Sequence, residues 1–212
     1  MSALLTRLAA VVAPPFCWGC GADAGRTEPL CGPCRAGLRW LGQEVVRLEG
    51  VPLWSAVAYE GPARSLVRAL KYRGAPGLAD PLAAAIAACA PRGLLVPGTV
   101  LVPVPMPAAR RRRRGFDQAE RIAAALAART GLELRPCLAR GPAPRQVGRG
   151  RQQRLIETAG NVRMDGPPPP GRVVLVDDVA TTGATLAACA AVLRGAGAGP
   201  LGAVTYARTP GR

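Results

Sequence analysis

Two consecutive aspartates, followed by threonines and a glycine, form the stretch of this sequence with the clearest capacity for chemistry. Asp177 and Asp178 come directly after residues 173–176, three valines and a leucine. Such an unbroken apolar run is typical of a parallel strand that is buried on both faces. We expect the strand to end where the carboxylates begin, which places both at the edge of the sheet where open α/β proteins bind ligands.

The polar loop at residues 180–185 leads into an alanine-rich helical pattern. Unpaired N–H groups at a helix start and the helix dipole favour a phosphate there, and we expect Gly183 to remove a side chain that would block its approach. Ionised carboxylates accept hydrogen bonds from ribose hydroxyls or bind Mg²⁺. The order of groups therefore predicts a ribose 5-phosphate site, with an ordinary βα turn as the alternative. Its residues are Asp177, Asp178, Ala180, Thr181, Thr182, Gly183, Ala184 and Thr185.

The segment VVLVDDVATTGATL, residues 173–186, resembles the signature of type I phosphoribosyltransferases. This resemblance implies that the acidic pair holds the ribose of 5-phosphoribosyl 1-pyrophosphate (PRPP). It also implies that the Thr-Gly loop holds the 5-phosphate of the same molecule.

Four cysteines near the amino terminus have the spacing C-x2-C-x10-C-x2-C. Two such pairs supply four thiolates that close a tetrahedron and leave no open position, which predicts a structural zinc site. A disulfide pair and a redox C-x-x-C are the alternatives. The predicted ligands are Cys17, Cys20, Cys31 and Cys34, with tight turns allowed by Gly19, Gly21 and Gly32.

The three other cysteines, Cys89, Cys137 and Cys189, have no partner spacing. Cys89 and Cys189 lie in alanine-rich helical runs, and we predict that both are buried core thiols.

Charge and composition narrow the classes of partner. The formal net charge is +15, and Lys71 is the only lysine among 28 basic residues, which leaves 27 arginines. The guanidinium of arginine binds phosphate well, so the expected partners are phosphorylated sugars, pyrophosphate or nucleic acid. A coding bias that increases the proportion of arginine in the sequence is the alternative explanation. The sequence has no histidine, which excludes imidazole as base, nucleophile or metal ligand.

No uninterrupted apolar run approaches the roughly 18 residues that a membrane-spanning helix needs. The first fifteen residues, MSALLTRLAAVVAPP, predict an amphipathic helix, with a secretory signal as the alternative. We therefore expect a cytoplasmic protein.

The remaining pattern predicts an α/β fold in which parallel strands are flanked by helices. The expected strands cover residues 52–59, 99–104, 173–176 and 201–206, and the expected helices cover 62–73, 79–90 and 118–129. Prolines at 103, 105 and 107 are expected to prevent a helix from starting there. We predict an N-terminal helix and zinc module over residues 1–45 and the main domain over 46–212.

Three basic segments are candidates for binding anions. The helix that contains Lys71 ends in a basic cluster, and residues 110–114 are five consecutive arginines. Pyrophosphate or a nucleic-acid backbone would neutralise these charges, whereas a solvated surface is the alternative. Residues 141–154, rich in Gly, Pro, Arg and Gln, predict a loop that closes as a lid over a pyrophosphate group.

The pieces together resemble the ComF family of competence-associated, phosphoribosyltransferase-like proteins over nearly the whole chain. The resemblance rests on the four cysteines, ALKYRG, VPVP followed by arginines and RGFDQAE, an RQ…R…N loop, and VDDVATTGATL. It implies a type I phosphoribosyltransferase-like fold and further neighbours of the site. These are Lys71, Arg114, Gln118, Arg145, Gln146, Arg154 and Asn161. Family members often carry a histidine after VPVP, where this chain has Met106 and Pro107.

The resemblance implies two functions. The first is binding of PRPP with Mg²⁺, with transfer to a base or amine acceptor as an alternative, because no acceptor pocket is recognisable. The second is handling of single-stranded DNA during uptake, with the zinc module contacting a partner such as the competence helicase. A scaffold that retains only the fold is the third interpretation.

Overall fold

The computed structural model describes residues 16–25, 28–141 and 161–211. The strands, in chain order, are β1 (Val45–Leu48), β2 (Val51–Ala58), β3 (Thr99–Pro103), β4 (Glu133–Leu134), β5 (Leu138–Arg140), β6 (Val162–Met164), β7 (Arg172–Ala180) and β8 (Leu201–Arg208). The α-helices are α1 (Gly32–Ala36), α2 (Gly61–Tyr72), α3 (Ala79–Cys89), α4 (Ala108–Arg114), α5 (Gln118–Thr130) and α6 (Ala184–Gly195), and a short 3-10 helix covers Pro76–Leu78.

Within the described residues, six strands form the main sheet in the order β1-β2-β8-β7-β3-β4. The edge strand β1 is antiparallel to β2, and all other neighbours are parallel. From β3 the chain moves outward to β4 and later returns to β7 on the other side of β3. This reversal puts a topological switch point between β3 and β7, where α/β sheets open a crevice at their carboxyl edge.

The strand β7 is at the centre of the core because its side chains alternate between two buried layers. Val174 and Val176 face a cluster built with α2, α3 and α5. Val173 and Leu175 face a second cluster, which contains the buried side of α6. Cys17 and Leu30, from the four-cysteine segment, belong to the first cluster. The predicted fold class, a largely parallel α/β sheet flanked by helices with a four-cysteine cluster near the amino terminus, is confirmed.

The prediction that the strand ends before the carboxylates is wrong, because β7 continues through both aspartates to Ala180. The neighbouring β8 continues as well and pairs Asp177 with Thr205 and Ala180 with Arg208. On the other side the β3 pairing stops at Val176, opposite Pro103. The aspartates therefore lie in a strand that is paired on one side and open on the other.

The five arginines form most of the helix α4, which the sequence pattern did not predict. The prolines were expected to prevent a helix there, yet α4 begins directly after Pro107. A proline at the start of a helix is tolerated because its missing N–H group has no intrahelical partner at that position. The helix ends at Gly115, whose φ of 84° is the left-handed conformation of a helix cap.

The edge strands β1 and β4, the β5–β6 hairpin and the short helix α1 were also missed. The strands and helices predicted within the described residues are present with small shifts of their ends, apart from the longer β7. Cys189 is buried as predicted, but Cys89 is partly exposed. The predicted N-terminal helix and most of the predicted lid lie outside the described residues. The division between residues 45 and 46 stays a prediction. Within the described parts, none of the helices has the length and apolar character to cross a membrane.

Candidate functional site

A cleft of about 540 Å³ opens at the carboxyl edge of the sheet, at the switch point between β3 and β7. Its walls come from the ends of α2 and β7, the exit of β3, the helix α4 and the β5–β6 hairpin. The lining residues that matter here are Lys71, Tyr72, Met106, Arg110, Arg114, Gln118, Arg140, Asp177, Asp178, Thr181 and Thr185. The cleft thus brings the acidic pair together with Lys71, Arg110, Arg114, Thr181 and Thr185.

The carboxylate of Asp178 is almost fully buried, with 1% exposure, and forms an ion pair with Lys71. The distance from Lys71 Nζ to Asp178 Oδ1 is 2.9 Å. The other oxygen, Oδ2, is buried and has no hydrogen-bond partner among the residues that the structure describes. Because an unpaired buried carboxylate oxygen is costly, this atom marks a place where a bound donor or cation would be stabilised.

Asp177 has a pKa well above its usual range, first because of burial and second because Asp178 repels its negative charge. Lys71 opposes this shift, and the Asp177 Oδ1 atom accepts a hydrogen bond of 2.8 Å from the Asp178 backbone N–H. Burial alone would lower the pKa of Lys71, but the two carboxylates raise it. Ionisation of both neighbouring carboxylates is therefore unfavourable in this cleft unless further positive charge lies beside them.

The threonine loop connects β7 to α6 beside the acidic pair. Thr181 and Thr185 line the cleft, whereas the Thr182 hydroxyl accepts a hydrogen bond of 3.4 Å from the Ala184 N–H. Two of the three threonines therefore line the cleft, and the third caps the turn before α6. Of the remaining predicted residues, Ala180 is buried, and Gly183 and Ala184 form the turn into α6.

Gly183 is required for a reason other than the expected approach of a phosphate. Its φ is 82°, and a Cβ at this position would lie 2.7 Å from the Cβ of Leu48. Both the backbone conformation and the contact with β1 exclude a larger residue, because the left-handed region is strained for a residue with a Cβ and core atoms cannot move apart freely.

We expect Gly183→Ala to lower the free energy of unfolding by about 2 kcal/mol or more. The matched control is Gly195→Ala in the same helix, where a Cβ would meet no atom within 4 Å. Urea unfolding measures both variants. Equal stability of the two variants would contradict the assigned role of Gly183.

The five arginines of α4 do not all line the cleft. Arg110 and Arg114, one helical turn apart, line the cleft, whereas Arg111 forms an ion pair of 3.3 Å with Glu120. Arg112 and Arg113 are exposed and do not line the cleft. Only part of the run can therefore contact a ligand in the cleft.

The side chain of Arg114 is held in place from two sides. Its guanidinium donates a hydrogen bond to the Gln118 side chain and lies over the ring of Tyr72, 5.5 Å from the ring centroid. A guanidinium that is ordered before binding loses less conformational freedom when it contacts an anion. The predicted neighbours Arg114 and Gln118 thus act as one unit.

Arg140 lines the cleft from the β5–β6 hairpin and was not predicted from the sequence. Burial, together with the nearby charge of Arg110, lowers the pKa of this guanidinium, while Asp177 opposes the shift. The hairpin is closed beyond Arg140 by a 3.0 Å hydrogen bond from the Gly141 N–H to the Asn161 carbonyl. Nothing in the local sequence predicts this position, because the two strands pair across residues far apart in the chain. The predicted neighbours Arg145, Gln146 and Arg154 lie outside the described residues.

The four cysteines predicted as metal ligands come together in one cluster, with all Sγ atoms within 4.8 Å of one another. The Cys20 and Cys31 Sγ atoms are 3.7 Å apart. Zinc–sulfur bonds of about 2.3 Å in a tetrahedron require sulfur atoms about 3.8 Å apart, so the cluster has the dimensions of such a site. All seven cysteines are free thiols, and the disulfide alternative is therefore absent from this structure.

The thiols of the cluster differ in their surroundings, and burial raises the pKa of Cys34 to about 12. Burial alone would raise the pKa of Cys17, but nearby backbone N–H groups, including that of Gly19 at 3.3 Å, lower it to about 6. A Cβ on Gly19 would lie 2.8 Å from Cys34 Sγ, and Gly21 has a φ of 81°. These two glycines are needed as predicted, whereas Gly32 begins the helix α1 and meets no such restriction.

Fold and cleft together define an α/β protein with a cleft at the switch point of its sheet, lined by carboxylates, cationic side chains and hydroxyls. No protein-family model matches the sequence, and no curated protein matches it either. Among solved structures, the chain is similar to orotate phosphoribosyltransferase from Aeropyrum pernix, with 24% identity over 80% of this chain and 74% of that chain. The TM-score is 0.36.

Proposed function

We propose that this chain is a ComF-like, cytoplasmic protein whose cleft binds the phosphoribosyl group of PRPP together with Mg²⁺. One observation carries the proposal: β7 delivers two adjacent carboxylates to the switch-point cleft and leads directly into a threonine loop at the start of a helix. Carboxylates suit ribose hydroxyls and Mg²⁺, while hydroxyls and free N–H groups at a helix start suit a phosphate.

The charges of the cleft support the same ligand. The raised pKa of Asp177 reflects the cost of a second negative charge beside Asp178, and a divalent cation would remove that cost and also satisfy the unpartnered Oδ2 atom of Asp178. Arg110 and Arg114 lie on the α4 wall, where they would neutralise a pyrophosphate. Mg²⁺ bound by the acidic pair would supply charge neutralisation for that group. The residues themselves bind and orient the sugar, and the arginines hold the anion.

Calorimetry with PRPP and Mg²⁺ tests the proposal. We expect binding by the wild type and none by Asp177→Asn/Asp178→Asn, because the amides cannot hold the cation and contribute no charge. The control is Asp80→Asn/Asp165→Asn, which removes the same charge at two exposed surface carboxylates. Absence of binding by the wild type refutes the proposal.

Transfer of the phosphoribosyl group to an acceptor is the enzymatic alternative for the same cleft. It requires a second ligand beside the sugar. A panel of bases and amines offered with PRPP and Mg²⁺ distinguishes turnover from binding, since only turnover releases pyrophosphate.

A second candidate function is the handling of single-stranded DNA during uptake, with the four-cysteine module, holding structural zinc, contacting a competence helicase. The observation in its favour is that Arg112 and Arg113 lie exposed outside the cleft on a chain of net charge +15. Phosphate contacts release counterions, so the affinity for single-stranded DNA should fall steeply as salt is raised. Absence of binding at low salt would rule this function out.

A further inference from the structure

Asp117 is a buried carboxylate at the start of α5, outside the lining of the cleft. As the N-cap of that helix it accepts hydrogen bonds through Oδ1 from the N–H groups of Ala119, at 3.0 Å, and Glu120, at 3.3 Å. Its other oxygen, Oδ2, accepts a hydrogen bond of 3.0 Å from the backbone N–H group of Met106. The side chain therefore does more than cap a helix, because it also contacts the exit of β3.

The contact with Met106 fixes the chain directly before the arginine helix α4. Met106 carries the one backbone N–H group of residues 105–107, because the prolines on either side of it have none. A partly buried N–H group without a partner is costly, so the carboxylate determines the course of the chain at this point. Pro107 follows as the N-cap of α4. Asp117 thus holds the segment from which the helix begins.

The same side chain lies directly after the end of α4. The helix ends at Gly115, and the buried residues Phe116 and Asp117 follow. None of the seven residues of α4 is buried, so the helix has no apolar face that anchors it on the core. An ion pair between Arg111 and Glu120 also joins α4 to α5, but both side chains are largely exposed, and such pairs contribute little. The position of α4 therefore depends on how the chain is fixed just before and just after it.

We infer that Asp117 is a positioning residue for the cleft: its carboxylate connects the two ends of α4 and so holds Arg110 and Arg114 where they contact an anion. The inference rests on the proposed function, because these two arginines need a fixed position only if they bind the pyrophosphate of PRPP. Asp117 contacts no part of that ligand. It acts through the arginines, whose charge-assisted hydrogen bonds depend on their placement.

Asp117→Asn separates the two contacts of the carboxylate. Asparagine is as good an N-cap as aspartate, so its oxygen can still accept from Ala119 and Glu120. Its NH₂ group then faces the Met106 N–H group, and two donors cannot form a hydrogen bond. Calorimetry on the full chain with PRPP and Mg²⁺ should show a Kd about 10-fold or more above that of the wild type, comparable to the loss of one charge-assisted hydrogen bond. Asp117→Ser, which caps the helix with a shorter side chain, should give a similar loss.

A double-mutant cycle distinguishes positioning from a general structural role. In the variant Arg110→Ala/Arg114→Ala the positioned groups are absent, so adding Asp117→Asn should change the PRPP Kd less than about twofold. A residue that only stabilised the fold would change the Kd by the same factor in both backgrounds.

Thr130→Ala is the matched control at the other end of α5. The Thr130 hydroxyl donates a hydrogen bond of 2.8 Å to the Leu126 carbonyl and accepts one of 3.4 Å from the Leu132 N–H group, outside the cleft. We expect this variant to bind PRPP with the Kd of the wild type.

Wild-type affinity in Asp117→Asn overturns the inference, as does an equal loss in both backgrounds of the cycle. Either result leaves the phosphoribosyl site standing. If the wild type itself does not bind PRPP, the proposed function fails, and this inference fails with it.

Discussion

Replacing Arg110 and Arg114 together with alanine is expected to weaken PRPP binding about 100-fold or more, because each guanidinium contributes a charge-assisted hydrogen bond of about 1.5–3 kcal/mol. Both side chains line the cleft, and Arg114 is already ordered by Gln118 and Tyr72. The measurement is calorimetry with PRPP and Mg²⁺ at fixed ionic strength.

The control is Arg112→Ala/Arg113→Ala, which removes the same charge from the same helix outside the cleft. We expect PRPP affinity within about twofold of the wild type, because two exposed charges act only through screened long-range fields. The two pairs also separate the two candidate functions: single-stranded DNA that uses the outer surface should lose affinity in the control pair. Equal losses of PRPP affinity in both pairs would show that the arginines act by general charge and not by contact.

The second large effect concerns the four-cysteine cluster. Protein purified without added metal should contain one equivalent of zinc, and Cys34→Ser should contain less, because three thiolates bind the metal more weakly than four. Structural zinc contributes roughly 12 kcal/mol in small modules, and losing one of four ligands should cost about 3 kcal/mol of unfolding free energy. For a chain of this size that corresponds to a fall of about 6–12 °C in Tm. Metal analysis and thermal unfolding measure the two changes.

Cys89→Ser is the matched control, because Cys89 is a partly exposed thiol outside the cluster. It should retain the metal and the wild-type Tm. Wild-type protein with less than about half an equivalent of zinc and four reactive thiols would contradict the structural site.

The centre of the sheet and the acidic pair were predictable because the relevant signals are local. An unbroken run of β-formers followed by two carboxylates specifies a buried strand with acidic groups near its carboxyl end, whatever the rest of the chain does. The same holds for the cysteine pairs, whose spacing encodes the geometry of the cluster. Thr181, Thr185 and Lys71 line the cleft because each lies within one turn of an element that the local pattern identifies, and their role in binding stays a prediction.

The missed features have no local signal, and two of them depend on contacts between distant segments. The helix α4 consists of two alanines and five arginines, so it has no apolar periodicity for a sequence pattern to detect. Arg140 reaches the cleft only because β5 pairs with β6, more than twenty residues further along the chain. The end of β7 depends on β8, which continues to pair beyond the point where β3 stops.

The ion pair between Lys71 and Asp178 uses the one lysine of the chain. Lysine occurs once in 212 residues, and it occurs where a carboxylate with 1% exposure presents a single oxygen at 2.9 Å. An ammonium is a compact point charge that reaches this oxygen without the rigid, planar fork of five N–H donors that a guanidinium carries. Amine-selective reagents therefore have one side-chain target in this chain, and that target is in the cleft.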